Sequence, residues 1–162
     1  MKTILATTAL IILTVCYAHA VLPQAKPATE SDNAAVQAVL AANARLTECD
    51  NRLETDAFFA GIVASDDTRI IQNGRLFKTR ADAIATVRQG AQGVAKVERR
   101  FDDPHVTLLA PDAALLTADG TTTVTLADGR IITSPFAASL VFVLRDGQWL
   151  LFHGHYSVPN PR

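Results

Sequence analysis

By type and spacing, the residues in this chain best suited to chemistry are His153 and His155. In an extended strand, residues two apart project from one face, so both imidazoles point the same way, and imidazole is the side chain suited to acid–base work near neutral pH. Such a pair can begin a metal site or supply a general base. A structural zinc needs two further ligands, and a catalytic zinc at least one more. Asp103, His105 and Asp119 are available, but no spacing brings them to the pair. The expectation is no metal and no cofactor, with the two rings hydrogen-bonded in a packed sheet face.

Directly after His155 comes Tyr156, whose hydroxyl can donate to a ligand carbonyl or a developing oxyanion. A carboxylate partner would come from Asp56, beside Phe58 and Phe59, although a solvated acid in the first turn of a helix is the simpler account. Asp119 stands among Thr117, Thr121, Thr123 and Thr125 and precedes Gly120, where a bulge explains it. Arg75, Lys78 and Arg80, and the pair Arg99-Arg100, read as exposed strand and turn charges. No catalytic dyad emerges from these acids and bases.

The elements that must position these groups follow from periodicity. Ser31-Asp32-Asn33 offer caps for a helix carrying Ala35, Val36, Val39, Leu40, Ala42, Leu46 and Cys49 at spacings of three and four. A second helix is predicted over 54–64, then a brief strand over 68–72. Asn73-Gly74 signals a hairpin returning through Leu76-Phe77. Thr79 caps a third helix with Ala83, Ile84, Val87 and Ala91 on one side, ending near Gly90 or Gly93. From Val94 the period becomes two. Strands are expected over 94–101 with 105–109, 114–126, 130–145 and 148–158. Pro104 marks a bulge or an edge, and Asp128-Gly129 and Asp146-Gly147 mark turns. Helices first and a meander last indicate an α+β domain over residues 31–158 with helices on one sheet face.

The run Asp146-Gly147-Gln148-Trp149-Leu150-Leu151-Phe152-His153-Gly154-His155-Tyr156-Ser157 resembles the terminal strand of the nuclear transport factor 2-like superfamily. It is similar above all to the SnoaL-like branch and to the association (hub) domain of calmodulin-dependent kinases. The resemblance implies a curved antiparallel sheet wrapped around the helices as a cone, one pocket, and dimerisation through the outer sheet face. Strict alternation puts Trp149, Leu151, His153, His155 and Ser157 on one face, and Leu150, Phe152, Gly154, Tyr156 and Val158 on the other. Hub domains carry a pocket arginine at the position of Tyr156. The resemblance therefore places Tyr156 and Phe152 in the pocket, and His153, His155 and Ser157 at the dimer interface; with tyrosine at that position, a small anion is not expected there. Phe58, Phe59, Phe136 and Phe142 are also expected to point inward, with Phe58, Phe59 and Phe142 among the ligand-binding residues. An apolar wall of this kind suits a small hydrophobic or aromatic ligand.

Composition bounds the rest. The chain has 162 residues, 49% of them hydrophobic. Residues 1–20 take a large share, as a signal: Lys2, an uncharged run, then Ala18-His19-Ala20 as a cleavage site before Val21. Residues 21–30, with Pro23 and Pro27, read as a linker, and 159–162 as a tail. Cleavage leaves Cys49 alone, so no disulfide can form within the mature chain. It also leaves 14 basic against 16 acidic residues, a balance that favours neither nucleic acid nor an anionic membrane surface. Three functions remain: an exported, periplasmic or secreted binder of a small apolar molecule; an isomerase, dehydratase or polyketide-cyclase-like enzyme using Tyr156 and a buried carboxylate; and a non-catalytic oligomerisation module.

Overall fold

A computed structural model describes residues 29–159. The expected signal (1–20), most of the linker and the end of the tail lie outside the described residues. Helix α1 (Glu30–Asn51) is followed by α2 (Thr55–Ala60), the hairpin β1 (Arg69–Gln72) and β2 (Arg75–Phe77), and α3 (Arg80–Gly90). Four long strands complete the chain: β3 (Val94–Ala110), β4 (Ala113–Leu126), β5 (Ile131–Arg145) and β6 (Gln148–Ser157). The six strands form one open sheet in the order β2-β1-β6-β5-β4-β3.

Two details depart from the expected boundaries. α1 begins inside the predicted linker, because Thr29 rather than Ser31 caps it: its hydroxyl accepts from Asp32 N while Asp32 Oδ2 accepts from Thr29 N, 3.1 and 2.9 Å. α2 stops at Ala60, short of residue 64. There Arg80 donates to the carbonyls of Phe59 and Ile62 (2.6 and 3.2 Å), lies 5.5 Å from the Phe59 ring, and ends the helix by taking its free acceptors. Thr79 caps α3 as predicted. At Asn73-Gly74 and Asp146-Gly147 both residues have positive φ, the two-residue turn that these sequences favour.

The sheet is mixed rather than wholly antiparallel. β1 runs parallel to β6, with Ile70 opposite Gly154 and Gln72 opposite Tyr156, so the last strand sits between β1 and β5. A second departure lies in β6 itself. Opposite β5, Val141 faces His153 but Phe142 faces Leu151, leaving Phe152 as the extra residue of a bulge. Residues 61–63 occupy the other side of this point: Leu151 N donates to Gly61 O (3.0 Å) and Val63 N to Leu151 O (2.9 Å). The bulge shifts the alternation by one. Trp149 and Leu151 therefore share the inner face with Gly154 and Tyr156, and not the outer face with the histidines. Pro104 lies where β3 slips register between Asp102 and His105, on the edge strand, and Asp103 there has φ 42°. The irregularity that Asp119-Gly120 suggested thus belongs to the facing strand.

The core lies between α1, α2 and the inner sheet face. Val39, Leu116, Leu140, Phe142 and Leu151 are fully buried, each contributing roughly 1.5–3 kcal/mol of transfer free energy. Gly120 explains itself by what surrounds it. It is flanked across the sheet by Phe101 and Phe136, whose rings meet edge to face with centroids 5.1 Å apart. A Cβ on Gly120 would lie 2.2 Å from Arg100 O and 2.6 Å from Phe136 Cζ. Gly120→Ala is expected to cost about 2–3 kcal/mol by overpacking. Gly90→Ala, with open space around it, should instead stabilise by up to about 1 kcal/mol by restricting the unfolded chain. Urea denaturation of both variants checks this; a Gly120→Ala protein as stable as the parent would show that the ring packing tolerates the methyl.

Candidate functional site

The helices leave a cavity of about 650 Å³ against the sheet. Its wall is mainly apolar. α2 and the segment after it supply Phe58, Phe59 and Ile62, α3 supplies Ala83 and Val87, and the sheet supplies Ile70, Val97, Val124 and Leu151. The Phe58 and Phe59 rings pack edge to face with centroids 5.4 Å apart. Arg80 therefore fixes part of this wall by ending α2 where it does.

Two polar groups interrupt it: Gln72, Asn73 and Arg75 at the hairpin with Thr86 of α3, where Arg75 pairs with Asp82 at 2.9 Å, and a cluster formed by Asp50, Arg99, Thr122 and Tyr156. Asp50 is carried at the end of α1, in register with the buried Val39, Asn43 and Leu46 at spacings of three and four. Next to it, Asn51 spans to the edge strand. Its Oδ1 accepts from Arg99 N (2.6 Å) and its Nδ2 donates to Arg99 O (3.1 Å). Arg99 alternates with Val97 and Phe101 toward the inner face, and its side chain is 16% exposed, against 76% for Arg100. The expectation that both arginines are exposed is corrected at Arg99. Its Nη1 lies 2.9 Å from Asp50 Oδ2, and its Nε donates to Thr122 Oγ1 (3.2 Å). The guanidinium stands 5.5 Å from the Tyr156 ring and 5.9 Å from the Phe136 ring, within cation–π range.

Of the expected ligand-binding residues, Tyr156, Phe58 and Phe59 line the cavity. Phe142 does not: it is fully buried in the core. Phe152 is absent from the wall because it is the bulged residue, and Leu151 takes the inward place. Phe136 packs behind Tyr156, 6.1 Å between ring centroids. Asp56 is not a cavity carboxylate. Its side chain is 84% exposed and pairs with Arg88 at 2.6 Å. Asp50 and Arg99 stand in its place, and the sequence signals that find them are the helical spacing from Val39 and the alternation through β3. His155 and Ser157 are exposed and His153 half-buried, off the cavity wall, while Cys49 is a half-buried free thiol on α1. Among the described residues no group of three or more His, Cys, Asp or Glu converges to hold a metal ion, and no helix is long and apolar enough to cross a membrane.

Burial pushes the Tyr156 phenol above its ordinary pKa of 10.0; the Arg99 guanidinium opposes the shift and Asp50 reinforces it. At neutral pH the hydroxyl is thus a donor. The raised value also fixes a sign. Below the unfolded value both states hold the proton and stability is unaffected; above it the unfolded chain ionises first, so stability falls as pH rises through the interval between the two values. In an alkaline titration followed by tyrosinate absorbance, a transition above the ordinary tyrosine range is expected that Tyr156→Phe removes. A folded protein whose Tyr156 titrates at the ordinary value would contradict the burial argument.

The SnoaL-like domain family matches residues 39–161. Nothing among curated proteins matches. Solved structures with the same fold include a dehydratase candidate of the NTF2-like family from Streptomyces avermitilis, with TM-score 0.71, 17% identity, and 80% of this chain and 99% of that one covered. A candidate scytalone dehydratase from Novosphingobium aromaticivorans gives 0.70 at 10% identity, covering 80% and 87%. A candidate calcium/calmodulin-dependent protein kinase II association domain from Xanthomonas campestris gives 0.63 at 20% identity, covering 86% and 95%. With its open sheet, its cavity and a match over most of its length, the chain belongs to the SnoaL-like domain family, with an NTF2-like fold.

Proposed function

We propose that this protein is exported and binds a small, largely apolar molecule in the cavity between the helices and the sheet. The single observation that carries this reading is the cavity itself: about 650 Å³, walled mainly by aromatic and aliphatic side chains, with Asp50, Arg99, Thr122 and Tyr156 on one side and Gln72, Asn73, Arg75 and Thr86 on another. Pockets of about 300–1,000 Å³ with this distribution suit one small hydrophobic ligand, the polar groups setting its orientation. Export rests on the sequence of residues 1–20, and places the protein in the periplasm or outside the cell.

A second reading is catalytic, and the proximity of Asp50 and Tyr156 to Arg99 favours it. In an isomerase or dehydratase, Asp50 would take a proton beside a carbonyl whose oxygen accepts from Tyr156. Binding is preferred because Asp50 is the one acid among the described residues at the cavity wall, and no histidine joins it; a proton relay would have to run through that single ion-paired group.

Mass spectrometry of the protein purified from its exporting host separates the two. A binder returns its ligand unchanged from the cavity, whereas an enzyme converts added ligand to a product of different mass or absorbance. N-phenyl-1-naphthylamine, a neutral apolar fluorophore, is expected to bind the mature protein, whose chain should begin at Val21. Val97→Trp, which fills the cavity, is expected to weaken binding at least about tenfold, or 1.4 kcal/mol. Equal affinity in the folded variant would place the fluorophore elsewhere and sink the reading.

We also propose a homodimer formed through the outer sheet face that carries His153, His155 and Ser157. Support comes from the exposure of His155 and Ser157 on long strands and from the fold shared with an association-domain candidate. Light scattering should give twice the monomer mass, reduced to the monomer by His155→Glu; an unchanged mass in that variant would rule out this face.

A further inference from the structure

Resting on the binding reading above, we infer that the ligand is neutral at its polar end and carries a hydroxyl or enol that donates a hydrogen bond to Asp50. The inference comes from how charge and hydrogen-bonding capacity are divided inside the cavity. Arg99 is the obvious receptor for an anion, but the chain already supplies its counter-charge: Asp50 Oδ2 lies 2.9 Å from Nη1, and both side chains are largely buried. Arg75, the other cation at the wall, is likewise paired, with Asp82 at 2.9 Å, and is largely open to solvent. A carboxylate or phosphate ligand would have to separate the Arg99 pair or sit against Asp50, and in a low-dielectric site either is unfavourable.

Asp50 is the less satisfied partner. Its Oδ2 is buried and accepts no hydrogen bond among the described residues, despite the short ion-pair distance, because the guanidinium N–H bonds do not point at it. A carboxylate offers about four lone-pair sites. This one makes an ion contact and keeps acceptor capacity unused, while 21% of its side chain remains open and it forms part of the cavity wall. Buried polar groups left without partners are costly, and each such group calls for a partner the chain does not supply. For a carboxylate that partner is a donor. Tyr156 offers the complementary function. Its hydroxyl enters no hydrogen bond with another described residue and its phenol stays protonated, so it can donate to a ligand oxygen. A compact apolar body with a hydroxyl for Asp50 and an adjacent carbonyl or ether oxygen for Tyr156 satisfies both.

A set of probes with one body and different ends tests this. 2-Naphthol, 2-methylnaphthalene, 2-acetonaphthone and 2-naphthoate are titrated into the mature protein at neutral pH, each displacing N-phenyl-1-naphthylamine. 2-Naphthol is expected to bind at least about tenfold tighter than 2-methylnaphthalene, and 2-naphthoate the most weakly. In Asp50→Asn the order should invert, with 2-naphthoate gaining at least about tenfold because Arg99 is released. Tightest binding of 2-naphthoate to the unaltered protein would overturn the inference, as would equal binding of 2-naphthol and 2-methylnaphthalene; in both cases the cavity would still be a binding site. If none of the four displaces a fluorophore that the protein binds, the inference fails, whereas no binding of the fluorophore itself sinks the binding reading. The unaltered protein decides the matter even if Asp50→Asn does not fold.

Discussion

Two hydrogen bonds from one side chain hold the helical layer in register with the sheet. β3 is an edge strand, so at alternate residues its N–H and C=O point away from β4 with no strand to receive them. At Arg99 both are taken by the carboxamide of Asn51, an oxygen for the N–H and a nitrogen for the carbonyl. The amide thus behaves as a one-residue extension of the sheet. Its geometry is directional in a way that apolar packing is not, and it fixes the end of α1 against one particular strand residue. Asp50 is adjacent in sequence, so the same contact brings a carboxylate to the Arg99 guanidinium. Thr122, across the ladder from Arg99, and Tyr156, beneath it, complete a cluster whose members come from four elements.

A second constraint sets which side of the last strand is inside. Without the extra residue at Phe152, a single alternation would run through β6, and Trp149 and Leu151 would face away from Tyr156. With it, both ends of β6 contribute to the same core. The strand can accept the irregularity because residues 61–63 pair with Leu151 on the side that β1 does not reach. The bulge, the end of α2 and the wall made by Phe58 and Phe59 are therefore one arrangement, held further by Arg80.

What could be read from the sequence was local. Asn73-Gly74 and Asp146-Gly147 demanded positive φ, Thr79 was an evident cap, and the change of period at Val94 separated helices from strands; these depend on neighbouring residues only. The terminal run carried the fold family. Most of what was misread turns on register and packing between elements. Phe152 looks inward by parity, and only the register of β5 reveals the bulge. Arg99 looks like half of an exposed charged pair with Arg100, yet alternation through β3 turns it inward, where Asp50, 49 positions earlier in the chain, pairs with it. Asp56, next to two phenylalanines, is the solvated first-turn acid that its place at the start of a helix favoured. Phe142 was rightly placed inside and wrongly placed at the cavity, because alternation separates inner from outer without distinguishing the packed core from an empty space beside it.

The parallel pairing of β1 with β6 has a consequence for the order of assembly. β3, β4 and β5 can zip together as a meander of near neighbours as soon as they are made. β1 has no such option: its partners are its own short hairpin mate and the final strand, and an isolated two-stranded hairpin is marginal in water. Until the last ten or so residues of the domain are available, β1, β2 and the segment after α2 have nothing to dock against, so one wall of the cavity is missing. Such non-local closure is slow compared with hairpin formation. The chamber is therefore completed only once β6 is in place, and a chain lacking that strand exposes aromatic residues that the finished protein encloses.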